Sequence, residues 1–151
     1  MSENIFELTP SGSGAVWVFV PVIVVLLTLA LYMVSVVYFS RNSSVHLAED
    51  ELVIKGGLYG RTLPLSELNT EDARVVNLYR ERDYKLKRRS NGIGLPGYNA
   101  GWFQLQNSQK VLAFVTDEKE VVYIPTENGY DLMFSVKEAE AFLGSLQANE
   151  Q

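Results

Sequence analysis

The stretch Arg88–Phe103, RRSNGIGLPGYNAGWF, decides how the chain is to be read. Gly92, Gly94 and Gly97 stand in the spacing G-x-G-x-x-G, the pattern of a loop that cradles a dinucleotide pyrophosphate. That chemistry needs an apolar strand before the motif and a helix after it, so that the phosphates meet a helix N-terminus. The residues before it, RDYKLKRRS, are too charged for a buried parallel strand, and those after it, YNAGWFQLQ, have strand character. Asp117 falls 20 residues after Gly97, but it belongs to the turn-like run DEKE. The stretch is therefore read as a shaped β-connection, and no cofactor is expected. Gly94-Leu95-Pro96-Gly97 reads as a turn, with Pro96 preset for its first corner and Gly97 permissive at its second. Gly101 marks a bulge or a close backbone approach. Such a connection can also carry binding residues.

Working outward, the chain has 151 residues, a formal net charge of -5, no cysteine and one histidine, His46. The length suits one domain of ordinary size. The negative balance argues against a chain built to coat nucleic acid. Without cysteine there are no disulfides, thiolate metal sites or cysteine nucleophiles, and one histidine excludes a multi-histidine metal site within the chain.

Apolar residues gather between Ala15 and Phe39, and no charge occurs from Leu8 to Ser40. As a helix these 25 residues would extend roughly 37 Å, enough to cross a ~30 Å hydrocarbon core with some tilt. A single span isolated in lipid must be helical, whatever its β-branched content. Trp17 and Tyr38 suit the two interfaces, and Pro21 lies in the second turn, where a break costs little. A secretory signal would need a basic n-region, a shorter apolar core and a small-residue cleavage site. Residues 1–14 instead carry Glu3 and Glu7 and no Lys or Arg. The expectation is a polar tail at 1–14, a transmembrane helix at 15–40, and a domain at 43–148 followed by a tail at 149–151. Arg41 is the only basic residue close to the span, so the positive-inside rule puts the domain in the cytoplasm.

After the span, short extended segments recur between turn signals, at 44–48, 51–55, 61–65, 73–79, 101–106, 110–116, 121–125 and 130–135. Asn128-Gly129, between the last two, is a strong hairpin signal. This spacing predicts an antiparallel sandwich or small barrel. The C-terminus changes period. Ser135-Val136-Lys137-Glu138 reads as a capping box. Ala139, Phe142, Leu143 and Leu146 then follow at i, i+3, i+4 and i+7, one apolar stripe that must be buried against the sheets.

Seven or eight strands closed by one helix is the pleckstrin-homology (PH) architecture. The segments SNGIGLPGYNAGWFQL, VLAFVTDEKEVVYIPTENGYDLMFSV and EAEAFLGSL resemble the bacterial PH-like domain family, over roughly residues 44 to 147. The resemblance implies a membrane-anchored, all-β PH-like domain capped by one helix. It implies an interaction role more than a biochemical activity.

Arg74, Arg80, Arg82, Lys85, Lys87, Arg88 and Arg89, against Glu81 and Asp83, give residues 74–89 a charge of +5, while the rest of 41–151 sums to -8. One explanation is a solvated strand edge, where Lys and Arg discourage edge pairing. The other is a docking patch for an acidic partner or anionic lipid headgroups, built from Arg80, Arg82, Lys85, Lys87, Arg88 and Arg89. Some eukaryotic PH domains grip phosphoinositides with a basic first hairpin, but the matching segment here, HLAEDELVIK, carries Glu49, Asp50 and Glu51. His46 stands alone, Glu118 and Glu120 sit in a turn, and no Ser/His/Asp arrangement is suggested. No catalytic or metal-binding residue is proposed. The expected function is binding or scaffolding of a protein partner at the bacterial plasma membrane. A lipid-apposed module is the alternative, and an enzyme the remote one.

Overall fold

The computed structural model describes residue 12 and residues 14–149. The expected tails at 1–14 and 149–151 lie outside the described residues except at positions 12, 14 and 149. Helix α1 runs over Gly14–Arg41, and the chain divides into compact units at Tyr38/Phe39. Within α1, Val16–Tyr38 is long and apolar enough to cross a membrane, with a mean hydropathy of 2.7. Two of its hydroxyls are satisfied locally: Thr28 Oγ1 donates to the Val24 carbonyl at 2.8 Å and Ser35 Oγ to that of Leu31 at 2.9 Å. Such back-bonding lets a hydroxyl sit in an apolar helix without an orphan donor.

The second unit is a sandwich of two sheets with a C-terminal helix. Strands β1 (Ser44–Leu47), β2 (Glu51–Lys55) and β3 (Arg61–Pro64) form an antiparallel meander. Strands β4 (Arg74–Val76), β5 (Leu86–Leu95), β6 (Tyr98–Leu105), β7 (Lys110–Val115), β8 (Val121–Ile124) and β9 (Asp131–Phe134) form the larger sheet, in the order β4-β8-β9-β7-β6-β5. Helix α2 covers Ala139–Ala148 and packs on β4 and β8.

The larger sheet is antiparallel except between β7 and β9, which run parallel. β9 is inserted between β7 and β8, so those two strands, though consecutive in sequence, never pair. Gly129, at φ 75°, makes the turn that brings β9 back beside β8. β8 and β9 are buried at every residue, and β7 at all but its first. They therefore read as unbroken apolar runs rather than alternating ones. One face of the sheet carries Val76, Phe103, Val111, Ala113, Val121, Tyr123 and Met133, with Leu78 buried among them and Tyr84 and Leu86 packed against them. The other face carries Leu112, Phe114, Ile124, Leu132 and Phe134, and meets the small sheet. Phe114 lies so close to Gly56 that a Cβ there would stand 2.6 Å from Cε1 of the ring.

Two local expectations are corrected. Ser135 does not cap α2, which begins at Ala139 with no side-chain cap. Its hydroxyl accepts from the Thr116 and Asp117 amides at 3.2 and 3.1 Å and donates to the Asp117 carbonyl at 2.8 Å. The serine holds the β7–β8 connection in place of the helix. The second correction concerns residues 80–100, where no strand was expected. Leu86–Leu95 is a ten-residue strand, and β6 begins at Tyr98 rather than at residue 101. β5 is an edge strand with mostly exposed residues, so charge in its sequence does not count against it.

The stripe on α2 is placed inward but not evenly. Ala139 and Leu146 are buried, whereas Phe142 and Leu143 are half-buried, Phe142 meeting Phe134 edge-on at 5.3 Å. Leu146→Ala should destabilise the domain by about 2–5 kcal/mol, and Phe142→Ala by less than full burial of the ring would imply. Urea unfolding of residues 43–151, followed by Trp102 fluorescence, checks this. An unchanged midpoint for Leu146→Ala would place α2 outside the core.

Candidate functional site

The glycines of the opening stretch build the β5–β6 hairpin. Leu95 pairs with Tyr98, leaving Pro96-Gly97 as the turn, with Gly97 at φ 76°. Gly94 lies in the ladder opposite Asn99, so the turn is tighter than the four residues from Gly94 to Gly97. Gly92 and Gly101 face one another across the two strands, at φ 153° and 120°. A Cβ on Gly101 would stand 2.5 Å from the Asn91 carbonyl oxygen and 2.6 Å from the Gly92 Cα; one on Gly92 would run into the Ala100 carbonyl oxygen. The motif is followed by a strand, so no helix N-terminus meets it.

β5 is bulged twice. Its register with β6 slips between Leu86 and Arg88 and again between Arg89 and Asn91, leaving Lys87 and Ser90 without an opposite residue. Bulges bend a strand and re-aim its side chains. Here they accompany a cleft of about 370 Å³ lined by Lys85, Lys87, Arg88 and Arg89, with Leu78, Leu86 and Phe103 as apolar lining and Glu118 as the one acid. Gly94 and Asn99 complete it. An added Cβ on Gly94 would lie 3.4 Å from Arg89 Nη1, so the missing side chain leaves room for that guanidinium.

A second cleft of about 590 Å³ shares Leu78 and Lys85 and adds Arg82, Asp83, Tyr79 and Gln106. Five of the six basic candidates therefore line two clefts that share residues. Arg80 lines neither. It sits in a turn where Asn77 Oδ1 accepts from the Tyr79 and Arg80 amides at 3.0 and 3.3 Å. Residues 82–84 form a 3-10 turn, which settles why Arg80, Arg82, Tyr84 and Leu86 follow no strand alternation.

A family model described as Bacterial PH domain matches residues 43–149. The chain belongs to the bacterial PH domain family. No curated protein and no solved structure matches it. The first basic cleft thus lies along the edge strand of a bacterial PH domain, and the second lies beside it on the segment leading into that strand.

Other polar centres of the PH domain are internal to its architecture. Trp102 is flanked by Arg61, 5.2 Å from the ring centroid, and Lys110, 4.6 Å away, and meets Tyr130 edge-on at 4.9 Å. Asp131, only 8% exposed, accepts from the Tyr123 hydroxyl at 2.5 Å and the Thr126 amide at 3.2 Å. Burial, then the hydrogen bond to Asp131 and its charge, push the Tyr123 phenol well above the usual tyrosine range. None of this was legible beforehand, because Trp102, Tyr123 and Asp131 sit in segments that read simply as strands. His46 lies on exposed β1 with Ser44 Oγ 3.0 Å from Nε2. Among the described residues no cluster of three or more His, Cys, Asp or Glu could hold a metal.

Two predictions follow from this geometry. A Cβ at Gly97 meets nothing within 4 Å, so Gly97→Ala carries only the left-handed backbone cost of about 1–2 kcal/mol. Gly101→Ala adds a collision with backbone atoms and should cost more, measured by the same unfolding assay. Equal losses would contradict the close approach. Tyr123 gives a pH dependence. A phenol whose pKa is raised by folding contributes stability that is fully present below its unfolded value near 10 and lost as the pH climbs above it. Tyr123→Phe should cost about 1–3 kcal/mol at neutral pH, through the donor lost to Asp131, yet flatten the alkaline fall in stability. Parallel alkaline slopes for the two proteins would sink this account.

Proposed function

We propose that the chain is a non-catalytic binding and scaffolding module. In this reading α1 anchors it in the bacterial plasma membrane and its PH domain recruits a protein partner on the cytoplasmic side. The observation that carries the reading is the free edge of β5: ten residues long, paired only with β6, and bordered by the basic cleft. An extended acidic segment can add to such an edge as a further strand, with its carboxylates over Lys85, Lys87, Arg88 and Arg89. Two features support the anchor: the length of α1 and its apolar character on every side. Arg41 favours the cytoplasmic side for the domain.

The charge asymmetry favours a second reading. Residues 74–89 carry +5 in a chain of net charge -5, and an anionic leaflet attracts each nearby basic residue by about 1 kcal/mol. On that reading the cleft docks on lipid headgroups.

The absence of cysteine makes one experiment serve both readings. Lys87→Cys in the full chain introduces a sole thiol, to which a photo-crosslinker is attached in native membranes. The thiol should react with an impermeant maleimide in inside-out vesicles and not in intact spheroplasts. Illumination should then give one discrete protein adduct, reduced roughly tenfold when Lys85, Arg88 and Arg89 are changed to Glu, a loss of about 1.4 kcal/mol. Lipid adducts alone would favour the second reading. Labelling in intact spheroplasts would reverse the orientation.

A further inference from the structure

We propose that the PH domain holds a second binding site, for one anionic phospholipid of the bilayer, in the cleft between β1 and the segment leading into α2. The proposal rests on reading α1 as a membrane anchor. The cleft encloses about 490 Å³, within the ~300–1,000 Å³ range of small-ligand pockets. Ile54, Tyr98, Phe114 and Phe134, all buried, and half-buried Val45 and Val136 give it an apolar lining. Its only charged lining residues are Lys55 and Lys137, and no carboxylate lines it. An apolar lining edged by the hydroxyls of Ser43, Ser44 and Thr116 and by two ammonium groups is complementary to a lipid whose acyl chain meets the apolar part and whose glycerol phosphate meets the lysines, and is not complementary to a cation. A shallower groove of about 570 Å³ continues from it, sharing Val45, Val136 and Lys137, adding Leu47 and Phe142, and carrying one carboxylate, Glu138. The apolar surface therefore extends beyond the first cleft along β1 and α2. None of residues 74–89 lines either cavity, so this site is separate from the two basic clefts.

Chain connectivity identifies the source of the lipid. Ser43, Ser44 and Val45 line the cleft, and α1 ends at Arg41. Extended chain spans at most about 3.6 Å per residue, so Ser43 stays within about 7 Å, and Val45 within about 14 Å, of the point where the helix ends. A helix that leaves the bilayer there holds the cleft within reach of headgroups.

The test uses the full chain in vesicles of phosphatidylcholine and phosphatidylglycerol. Each lipid is supplied in turn as a probe with a photoreactive diazirine in its acyl chain, and the adducts are mapped by mass spectrometry. Both probes should label α1. Only the phosphatidylglycerol probe should label peptides covering residues 43–55 and 130–142. Lys55→Glu with Lys137→Glu, two exposed positions, should lower the cleft adducts by roughly tenfold or more and leave those on α1 unchanged. Labelled α1 without labelled cleft peptides overturns the proposal, as do cleft adducts indifferent to headgroup or to the double substitution. Cleft labelling by a photoreactive free fatty acid but not by the phospholipid overturns the proposed source. Unlabelled α1 would sink the anchor reading, while the cleft would still be judged by its own peptides.

Discussion

Strand β9 has no free side, and the domain is arranged around that fact. It bonds to β8 on one edge and to β7 on the other, and both of its faces are buried. Neighbouring strands lie about 4.8 Å apart, so the connection between β7 and β8 has to cross roughly twice that distance over the strand between them. Ser135, the first residue after β9, bonds to that connection at both Thr116 and Asp117. The same hydroxyl thus fixes the loop that bridges β9 and the exit of β9 itself. A central strand covered on two faces then demands two covering layers. The small sheet and α2 supply one, and the excursion between β4 and β5, carrying Leu78 and Tyr84, supplies the other.

With the centre so constrained, the edges are where the domain is free to bind. β4, at one edge of the large sheet, is three residues long and offers little to pair with. β5, at the other, is long enough to template another strand, and it carries the usual defences of a natural edge: lysine, arginine and bulges. Those defences are selective. Their charge repels basic strands and attracts acidic ones, so on the proposed reading the same residues would guard the edge and favour an acidic partner. Gly92 and Gly101 make this possible by letting the two strands approach at a point where any side chain would collide with backbone.

The fold was legible where local chemistry and tertiary context agree. The apolar helix, most of the strands, the Asn128-Gly129 turn and the inward stripe of α2 all follow from period and turn residues. β5 was hidden because an exposed edge strand lacks the apolar alternation that marks a half-buried one, and because glycines at 92 and 94 read as loop. The parallel β7–β9 pair was hidden because strand order is a long-range property: nothing within KVLAFV or DLMF records which neighbour each will take. Ser135 fits a capping box by spacing, yet its hydroxyl found closer partners in a loop 18 residues back. The basic cluster was legible as composition only. Its division into a cleft-lining set and an outlying Arg80 depends on two bulges and a 3-10 turn that charge counting cannot reveal.

Screening by salt also sets the range over which such a domain can act. At physiological ionic strength exposed charges are screened beyond about 8 Å, so the basic cluster cannot draw a partner from far away through solvent against the domain's remaining negative charge. A tether changes that requirement. If α1 anchors it as proposed, the domain would meet other membrane-bound components at high effective concentration, so modest contacts would be enough and a strong long-range field would not be needed. A weakly basic edge on an acidic chain is therefore a coherent design for a tethered module. It would be a poor one for a module that had to find its partner by diffusion alone.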